Sequence, residues 1–255
     1  MKKLFYTHLY PFYVPVWAFI MSITTAFFGT LVVIISFIPG LDPKMNFSYH
    51  YVARFWAWLN LALTGTRVKI KGMEKINKRK SYVVMSNHQS HFDVLTLIGH
   101  IPLQLRWVMK IELRSIPVFG IGCERLGMIY VDRSDSEKAH ESLERAKSKI
   151  SDGSSVIFFP EGTRSPDGRL IEFKKGGFYM AIETQTPILP ITINGSRFAL
   201  PKGKPYLMRA GKIEVIIHDP IDVKGLTLED RDLLLTKVRA IIEKDLNHEY
   251  GRIAN

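Results

Sequence analysis

Seven short candidate strands, most of them apolar, recur between residue 66 and the carboxyl terminus, and this alternation constrains the fold more than any other feature. Stretches with helical patterning separate them. Alternation of this kind is typical of an α/β domain with a largely parallel sheet flanked by helices. We therefore predict strands near residues 67–71, 81–86, 104–109, 126–131, 154–159, 188–193 and 212–217.

Two capping patterns mark helices within this region. Ser134 and Glu137 begin a predicted helix over residues 134–150, and Thr227 and Asp230 begin another near the carboxyl terminus. Both have apolar residues at helical spacing, which predicts that one face of each is buried. The inward residues are Ala139, Leu143, Ala146 and Ile150 in the first helix, and Leu234, Val238, Ile241 and Ile242 in the second.

The amino-terminal region has a different character. No charged residue occurs from Leu9 to Leu41, and a span of this length could cross a bilayer, which needs about 20 apolar residues. After a Pro- and Gly-containing break at 39–43, residues 49–65 form an aromatic segment that suits the membrane interface. We predict that residues 1–65 form a two-helix membrane-associating motif and residues 66–255 the α/β domain. A helical hairpin packed as in a soluble protein is the alternative.

Charge and cysteine content narrow the classes of function. The formal net charge of +11 implies an acidic partner. No helix-turn-helix, zinc or RNA-binding pattern is visible, so we expect no nucleic-acid partner. An anionic membrane surface, a phosphomonoester substrate or an acidic carrier protein would each explain the charge. The only cysteine, Cys123, excludes an internal disulfide and reads as a small buried apolar residue.

Residues 87–93, with the sequence NHQSHFD, follow one of the predicted strands and lead into a helix predicted over 90–99. Ser90 and Asp93 have capping-box spacing, and the positive end of the helix dipole favours an ionised Asp93. The spacing lets Asp93 accept a hydrogen bond from one nitrogen of His88, leaving the other nitrogen free as a base. Two alternatives remain: purely structural capping, or a metal site made of His88, His91 and Asp93.

Residues 159–165, with the sequence FPEGTRS, follow another predicted strand. In open α/β sheets, ligands bind outside the carboxyl ends of the strands, so this loop should share an edge with His88. The planar guanidinium of Arg164 suits a phosphate, and Glu161 could hold either that guanidinium or a substrate hydroxyl. The alternative is a structural salt bridge between Glu161 and Arg164.

These two motifs, in this order, resemble the glycerophospholipid acyltransferase family, most closely the 1-acylglycerol-3-phosphate acyltransferases. Two further blocks strengthen the resemblance, residues 127–133 (GMIYVDR) and 187–193 (PILPITI), and together they cover roughly residues 66–220. The resemblance implies that Arg133 binds the substrate phosphate, although Asp132 and Arg133 could instead form an ordinary surface pair. It also places Glu161, Gly162, Thr163 and Arg164 in substrate binding. We assign the second block to a wall of the acyl site, and the alternative is that its proline marks an edge strand or the start of a strand. Lys110 is a further candidate phosphate ligand, with a surface lysine as its alternative.

The resemblance further implies the reaction. A long-chain acyl group would pass from acyl-CoA or acyl carrier protein to the sn-2 hydroxyl of lysophosphatidic acid, with His88 as general base and Asp93 orienting it. We expect no metal and no cofactor beyond the acyl donor, and a membrane-associated protein whose active site faces the cytoplasm. The alternatives are glycerol-3-phosphate or another lysolipid as acceptor, or a non-catalytic basic protein that binds the membrane periphery.

Overall fold

The computed structural model describes residues 10–131, 144, 147–150 and 153–252, and all seven predicted strands form one sheet. The spatial order is β1-β7-β6-β2-β5-β3-β4, and every neighbouring pair is parallel except β6 and β7. The prediction of an α/β fold with a largely parallel sheet is confirmed. The strands are β1 (Arg67–Lys71), β2 (Val83–Ser86), β3 (Leu105–Lys110), β4 (Ile129–Val131), β5 (Ser155–Phe158), β6 (Ile188–Asn194) and β7 (Lys212–Ile217).

Helices cover both faces of the sheet. The described α-helices are α1 (Tyr10–Ser36), α2 (Arg54–Ala62), α3 (Phe92–His100), α4 (Phe119–Arg125), α5 (Gly176–Glu183), α6 (Ser196–Ala199) and α7 (Arg231–Lys244). A π-helical turn, Ser48–Ala53, leads directly into α2. The capping box of Thr227 and Asp230 forms as predicted and precedes α7. Most of the helix predicted over 134–150 lies outside the described residues.

Alternate residues of the central strand β2 build the cores on the two faces, because successive side chains of a strand point in opposite directions. Val84 belongs to a core that includes Phe92 and Leu97 of α3. Val83 belongs to a second core with Phe178 of α5 and Val238 of α7. The sheet therefore separates the side covered by α1, α2 and α3 from the side covered by α5 and α7.

The amino-terminal segments are helical and share the first core. Tyr49 and Leu61 are 0% and 1% exposed, and both lie in the same core as α3. The backbone of α2 approaches α3 closely, since a Cβ atom on Gly99 would lie 3.2 Å from the Trp58 backbone nitrogen. The apolar helix over 12–36 is long enough and apolar enough to cross a membrane. The division of the chain at residue 65 stays a prediction.

Three neighbouring strands bring the sequence motifs to one edge. The sheet order places β5 between β2 and β3, and all three run in the same direction. The carboxyl end of β2 leads to His88, that of β5 to the loop at 160–168, and that of β3 to Lys110. This is the edge at which open α/β sheets bind ligands.

Candidate active site

His88 and Asp93 form a hydrogen-bonded pair at this edge. The Nδ1 atom of His88 lies 2.8 Å from Oδ2 of Asp93, whose side chain is fully buried. Because a carboxylate accepts hydrogen bonds, this contact assigns the proton to Nδ1 and leaves Nε2 with a lone pair. This is the contact that the motif spacing predicts, and the role of His88 as a base stays a prediction.

The turn that carries the pair is held by its own polar groups. Oδ2 of Asp93 also accepts hydrogen bonds from the backbone nitrogens of Gln89 at 2.7 Å and Ser90 at 2.8 Å. The Ser90 hydroxyl accepts from the Phe92 nitrogen at 3.2 Å and donates to the Leu200 carbonyl at 2.8 Å. Asp93 therefore both holds the turn before α3 and orients His88. Of the predicted capping box, the bond from the Ser90 nitrogen to Asp93 forms, whereas the Ser90 hydroxyl accepts from Phe92 instead of Asp93.

Asn87 anchors the same turn to the sheet. Its amide nitrogen donates to the Ile193 carbonyl at 2.8 Å, and its amide oxygen accepts from the Ile193 nitrogen at 2.7 Å. The side chain of Asn87 thus replaces one rung of the β2–β6 ladder just beyond Ser86, the last residue of β2. The backbone leaves the sheet here without losing hydrogen bonds, which places His88 above the strand ends.

The loop after β5 clamps the backbone of His88 from both sides. Glu161 Oε1 accepts from the His88 nitrogen at 2.7 Å, and the Ser165 nitrogen donates to the His88 carbonyl at 2.7 Å. Glu161 Oε2 accepts from the Ile171 nitrogen at 3.2 Å. The Glu161 side chain is 2% exposed, and burial raises its pKa to about 7. The two sequence motifs are therefore one structural unit.

This placement differs from the role foreseen for Glu161. The sequence suggested that Glu161 holds Arg164 or a substrate hydroxyl, with a Glu161–Arg164 salt bridge as the alternative. Within the described part of the chain, Glu161 makes no ion pair with Arg164, and its carboxylate instead holds backbone groups of His88 and Ile171. Whether it also meets substrate stays a prediction.

An aromatic neighbour fixes the plane of the His88 ring. The rings of His88 and Phe159 stack with centroids 3.8 Å apart and an interplanar angle of 6°. Trp107, on β3, lies beyond Phe159 with a centroid separation of 5.6 Å. The ring is thus held in its plane by Phe159 and in its rotation by Asp93.

A cavity of about 630 Å³ opens beside His88 and extends beneath the amino-terminal helices. This volume falls in the range of small-molecule binding sites. Its walls are largely apolar and come from α1, α2, α3, α4, the end of β3 and the loop after β5. Lining residues include Trp17, Met21, Thr25, Phe28, Gly29, Val32, Trp56, Leu95, Ile98, Met109, Phe119, Leu126 and Met128.

The predicted site residues fall into three groups. His88, Lys110, Gly162, Thr163 and Arg164 line the cavity. Asp93 and Glu161 stand behind His88 and hold it in place. Arg133 lies outside the described residues, so its predicted role as a phosphate ligand stays a prediction.

Two further expectations concern metal and the proline-containing block. Among the described residues, no group of three or more His, Cys, Asp or Glu side chains could hold a metal ion. The proline-containing block forms β6, a fully buried strand between β2 and β7. None of residues 187–193 lines the cavity. Since β6 lies inside the sheet, the alternative of an edge position for its proline is wrong, and the assignment of this block to a wall of the acyl site stays a prediction.

Sequence reasoning missed the contribution of the amino-terminal helices to the cavity wall. Trp17, Thr25 and Phe28 of α1 and Trp56 of α2 line the cavity. Because α1 is apolar around its whole circumference, no periodic pattern distinguishes the side that faces the cavity from the others. Ser165, whose backbone holds His88, carries no signal beyond its place in the motif.

Comparison with known proteins agrees with this geometry. A family model described as Acyltransferase matches residues 67–194, half of the chain. The chain belongs to the acyltransferase family. The predicted resemblance is thereby confirmed.

Curated relatives carry more specific names. The chain is 34% identical to a chloroplast 1-acyl-sn-glycerol-3-phosphate acyltransferase of Arabidopsis thaliana, over 72% of this chain and 52% of that protein. It is 34% identical to a chloroplast enzyme of the same name from Brassica napus, over 83% of this chain and 60% of that one. The human alpha form is 33% identical, over 69% of this chain and 62% of the relative. The match therefore spans only about half to three fifths of these relatives' length.

A solved structure extends the similarity to the whole chain. The crystal structure of the 1-acyl-sn-glycerophosphate acyltransferase PlsC from Thermotoga maritima matches with a TM-score of 0.82 and 28% sequence identity. The alignment covers 100% of each chain, so the similarity includes the amino-terminal helices as well as the sheet.

Proposed function

We propose that this protein transfers a long-chain acyl group from a thioester donor, acyl-CoA or acyl carrier protein, to the sn-2 hydroxyl of lysophosphatidic acid, forming phosphatidic acid. One observation carries the proposal: His88, which is hydrogen-bonded to Asp93, lines an apolar cavity that Arg164 also lines. A base, an apolar chain site and a cation are the three features this reaction needs. The names of the relatives support this choice of substrate.

In the proposed reaction, Nε2 of His88 removes the proton of the acceptor hydroxyl as its oxygen attacks the thioester carbonyl. The tetrahedral intermediate collapses with cleavage of the carbon–sulfur bond, and the imidazolium returns its proton to the leaving thiolate. Asp93 stabilises the imidazolium and fixes the tautomer, as the aspartate does in hydrolase triads. General-base catalysis of this kind contributes about 10²- to 10⁴-fold, so positioning of the two substrates must contribute the rest.

The polar rim would receive the phosphate of the acceptor. Arg164 is partly buried and lines the cavity next to His88 and Lys110. A guanidinium can bind phosphate with two parallel hydrogen bonds, whereas Lys110 supplies a point charge at the end of β3. The proposal keeps Arg133 as a third cation for the same phosphate.

The apolar part of the cavity would receive an acyl chain. Binding of the acyl chain is stabilised by about 0.8 kcal/mol for each methylene group removed from water, which favours long acyl chains up to the length of the cavity. The helix over 12–36 would place the mouth of this cavity at a membrane, where both lipid substrate and product reside. We place the active site on the cytoplasmic side, where a soluble acyl donor is available.

The decisive assay offers purified protein several acceptors and donors. Free thiol and lipid product are followed together with lysophosphatidic acid, glycerol-3-phosphate and lysophosphatidylcholine, each with acyl-CoA and with acyl carrier protein. We expect equal amounts of thiol and phosphatidic acid with lysophosphatidic acid only. Transfer to another acceptor would reassign the substrate, and vesicle binding without any transfer would support the non-catalytic alternative.

A further inference from the structure

The chain between β6 and β7 leaves the sheet at the same edge as His88. β6 runs parallel to β2, so its carboxyl end lies beside the His88 turn, and α6 follows at once. Direct contacts tie this region to the site, since the Ser90 hydroxyl donates to the Leu200 carbonyl at 2.8 Å. Residues 202–207, which follow, are called here the rim segment.

The rim segment exposes large apolar side chains that no core requires. Tyr206 and Leu207 are 59% and 48% exposed, whereas the next residue, Met208, is 1% exposed. The 3₁₀ turn formed by Pro205–Leu207 contacts α1. Near its amino-terminal end, α1 exposes Phe12, Val16 and Phe19. Exposed apolar side chains of the α/β domain therefore lie against the helix most suited to lipid.

The rim segment also carries positive charge and no negative charge. Lys202 and Lys204 are its only ionisable groups apart from the Tyr206 phenol, and Lys204 is exposed. A basic residue near an anionic bilayer surface contributes about 1 kcal/mol to binding. Aromatic and aliphatic side chains next to lysines are the composition of an interfacial membrane contact.

Lys202 connects this segment to the phosphate-binding rim. Its Nζ donates to the Arg164 carbonyl at 2.6 Å and lies 3.4 Å from the Thr163 hydroxyl. A membrane that binds the rim segment would therefore also lie close to the backbone of Arg164. A lipid acceptor would enter at the place where the protein meets the bilayer.

We propose that the rim segment is a membrane-contact element of the α/β domain, which inserts Tyr206 and Leu207 into the interface of an anionic bilayer. The amino-terminal helices then hold the protein at the membrane, and the rim segment sets the height of the active-site mouth above it. The proposal rests on the membrane placement of α1 proposed above, but not on the acyl-transfer reaction.

The test measures contact of this segment with vesicles in the full-length protein. In a Cys123→Ser background, Tyr206→Cys is labelled with an environment-sensitive fluorophore, and Leu233→Cys serves as the matched control. Leu233 is 73% exposed on α7, which packs on the opposite face of the sheet. We expect a blue shift and quenching by brominated lipid at position 206 and neither at position 233. Circular dichroism confirms that both labelled proteins are folded.

Sedimentation gives an independent measure. Tyr206→Ser with Leu207→Ser should weaken vesicle binding about tenfold, because two apolar side chains no longer leave water. Lys204→Ala should weaken binding about fivefold to phosphatidylcholine vesicles that contain phosphatidylglycerol, and not to phosphatidylcholine alone. Leu233→Ser and Lys224→Ala, on surfaces away from this edge, should leave binding unchanged.

Several results would overturn the proposal. If the full-length protein binds vesicles while the probe at position 206 reports water, as at position 233, the rim segment does not touch the bilayer and the membrane placement of α1 stands alone. If no vesicle binding occurs, both ideas fail. Because acyl transfer is measured separately with soluble short-chain lysophosphatidate, neither result bears on the proposed reaction.

Discussion

Around His88, the contacts come from two short motifs and from backbone groups, whereas the adjoining cavity is walled by residues as distant in sequence as Trp17 and Leu200. The His88 turn is polar, buried and held by several hydrogen bonds of 2.7–2.8 Å. The cavity wall is apolar and depends on how separate helices pack. The polar turn suits catalysis, which needs fixed geometry. The apolar cavity suits an acyl chain, which is recognised mainly by its length.

This contrast yields a rule for variants. Changes in the polar turn should alter the rate with every acyl chain, and changes in the cavity wall should alter the preference among chains. The following variants test that separation, from the largest expected effect to the smallest.

His88→Ala should have the largest effect. Removing the base should lower turnover by about 10²- to 10⁴-fold with long and short donors alike. His91→Ala is the matched control, because His91 also lines the cavity but its imidazole is not bonded to Asp93. Steady-state kinetics with two donor lengths, together with circular dichroism, provide the measurement. A loss of turnover that depends on the length of the acyl chain would assign His88 to chain recognition instead of catalysis.

Arg164→Ala should chiefly impair binding of the acceptor. A charge-assisted phosphate contact is worth about 1.5–3 kcal/mol, so kcat/KM for lysophosphatidic acid should fall about 10- to 100-fold, mostly through KM. Arg169→Ala removes an arginine just beyond this loop whose side chain is 80% exposed, and should have little effect. Unchanged acceptor kinetics in Arg164→Ala would remove the phosphate assignment.

Val32→Phe tests the apolar wall. Val32 is 2% exposed and lines the cavity from α1, so a larger side chain should shorten the space available to an acyl chain. The preference for long over short donors should fall roughly tenfold, since each excluded methylene forfeits about 0.8 kcal/mol. Ile34→Phe, at a 54% exposed position of the same helix, is the control. An equal loss for all donors would contradict the separation of chemistry from chain selection.

Glu161→Gln should have the smallest effect on turnover, and its effect on the free energy of unfolding should depend on pH. Burial raises the pKa of Glu161 from 4.5 to about 7, so the native state keeps a proton that the unfolded chain releases. The wild type should therefore lose stability relative to Glu161→Gln as pH rises from 4.5 to about 7, and the difference should level off above that range. Thermal unfolding across this range measures it. A difference between wild type and Glu161→Gln that stays flat across this range would refute the buried-carboxyl interpretation.

The sequence predicted some features well because local signals encode them. All seven strands lie close to their predicted positions, since most of them are short apolar runs bounded by polar turns. The contact between His88 and Asp93 followed from a spacing within one turn. The capping box before α7 could be predicted because its two residues, Thr227 and Asp230, lie three positions apart in the sequence.

Other features depend on tertiary packing and leave no local signal. The Glu161 carboxylate joins two motifs that are far apart in sequence, so its bond to the His88 nitrogen appears only when β2 and β5 pair. The cavity wall depends on which side of the uniformly apolar α1 meets the domain. The strand at 188–193 was predicted, but its position inside the sheet was not, because Pro190 favours an edge or strand-start position and proline is rare in a central strand.

A double-mutant cycle on His88 and Asp93 tests most directly whether the two residues work as one base. His88→Ala, Asp93→Asn and the double variant are compared for kcat with lysophosphatidic acid and one acyl donor, after circular dichroism has confirmed that each is folded. If Asp93 acts only through His88, the double variant should be no slower than His88→Ala alone, because the second change has nothing left to impair. If the two losses multiply, Asp93 acts independently of His88 and the dyad mechanism is contradicted.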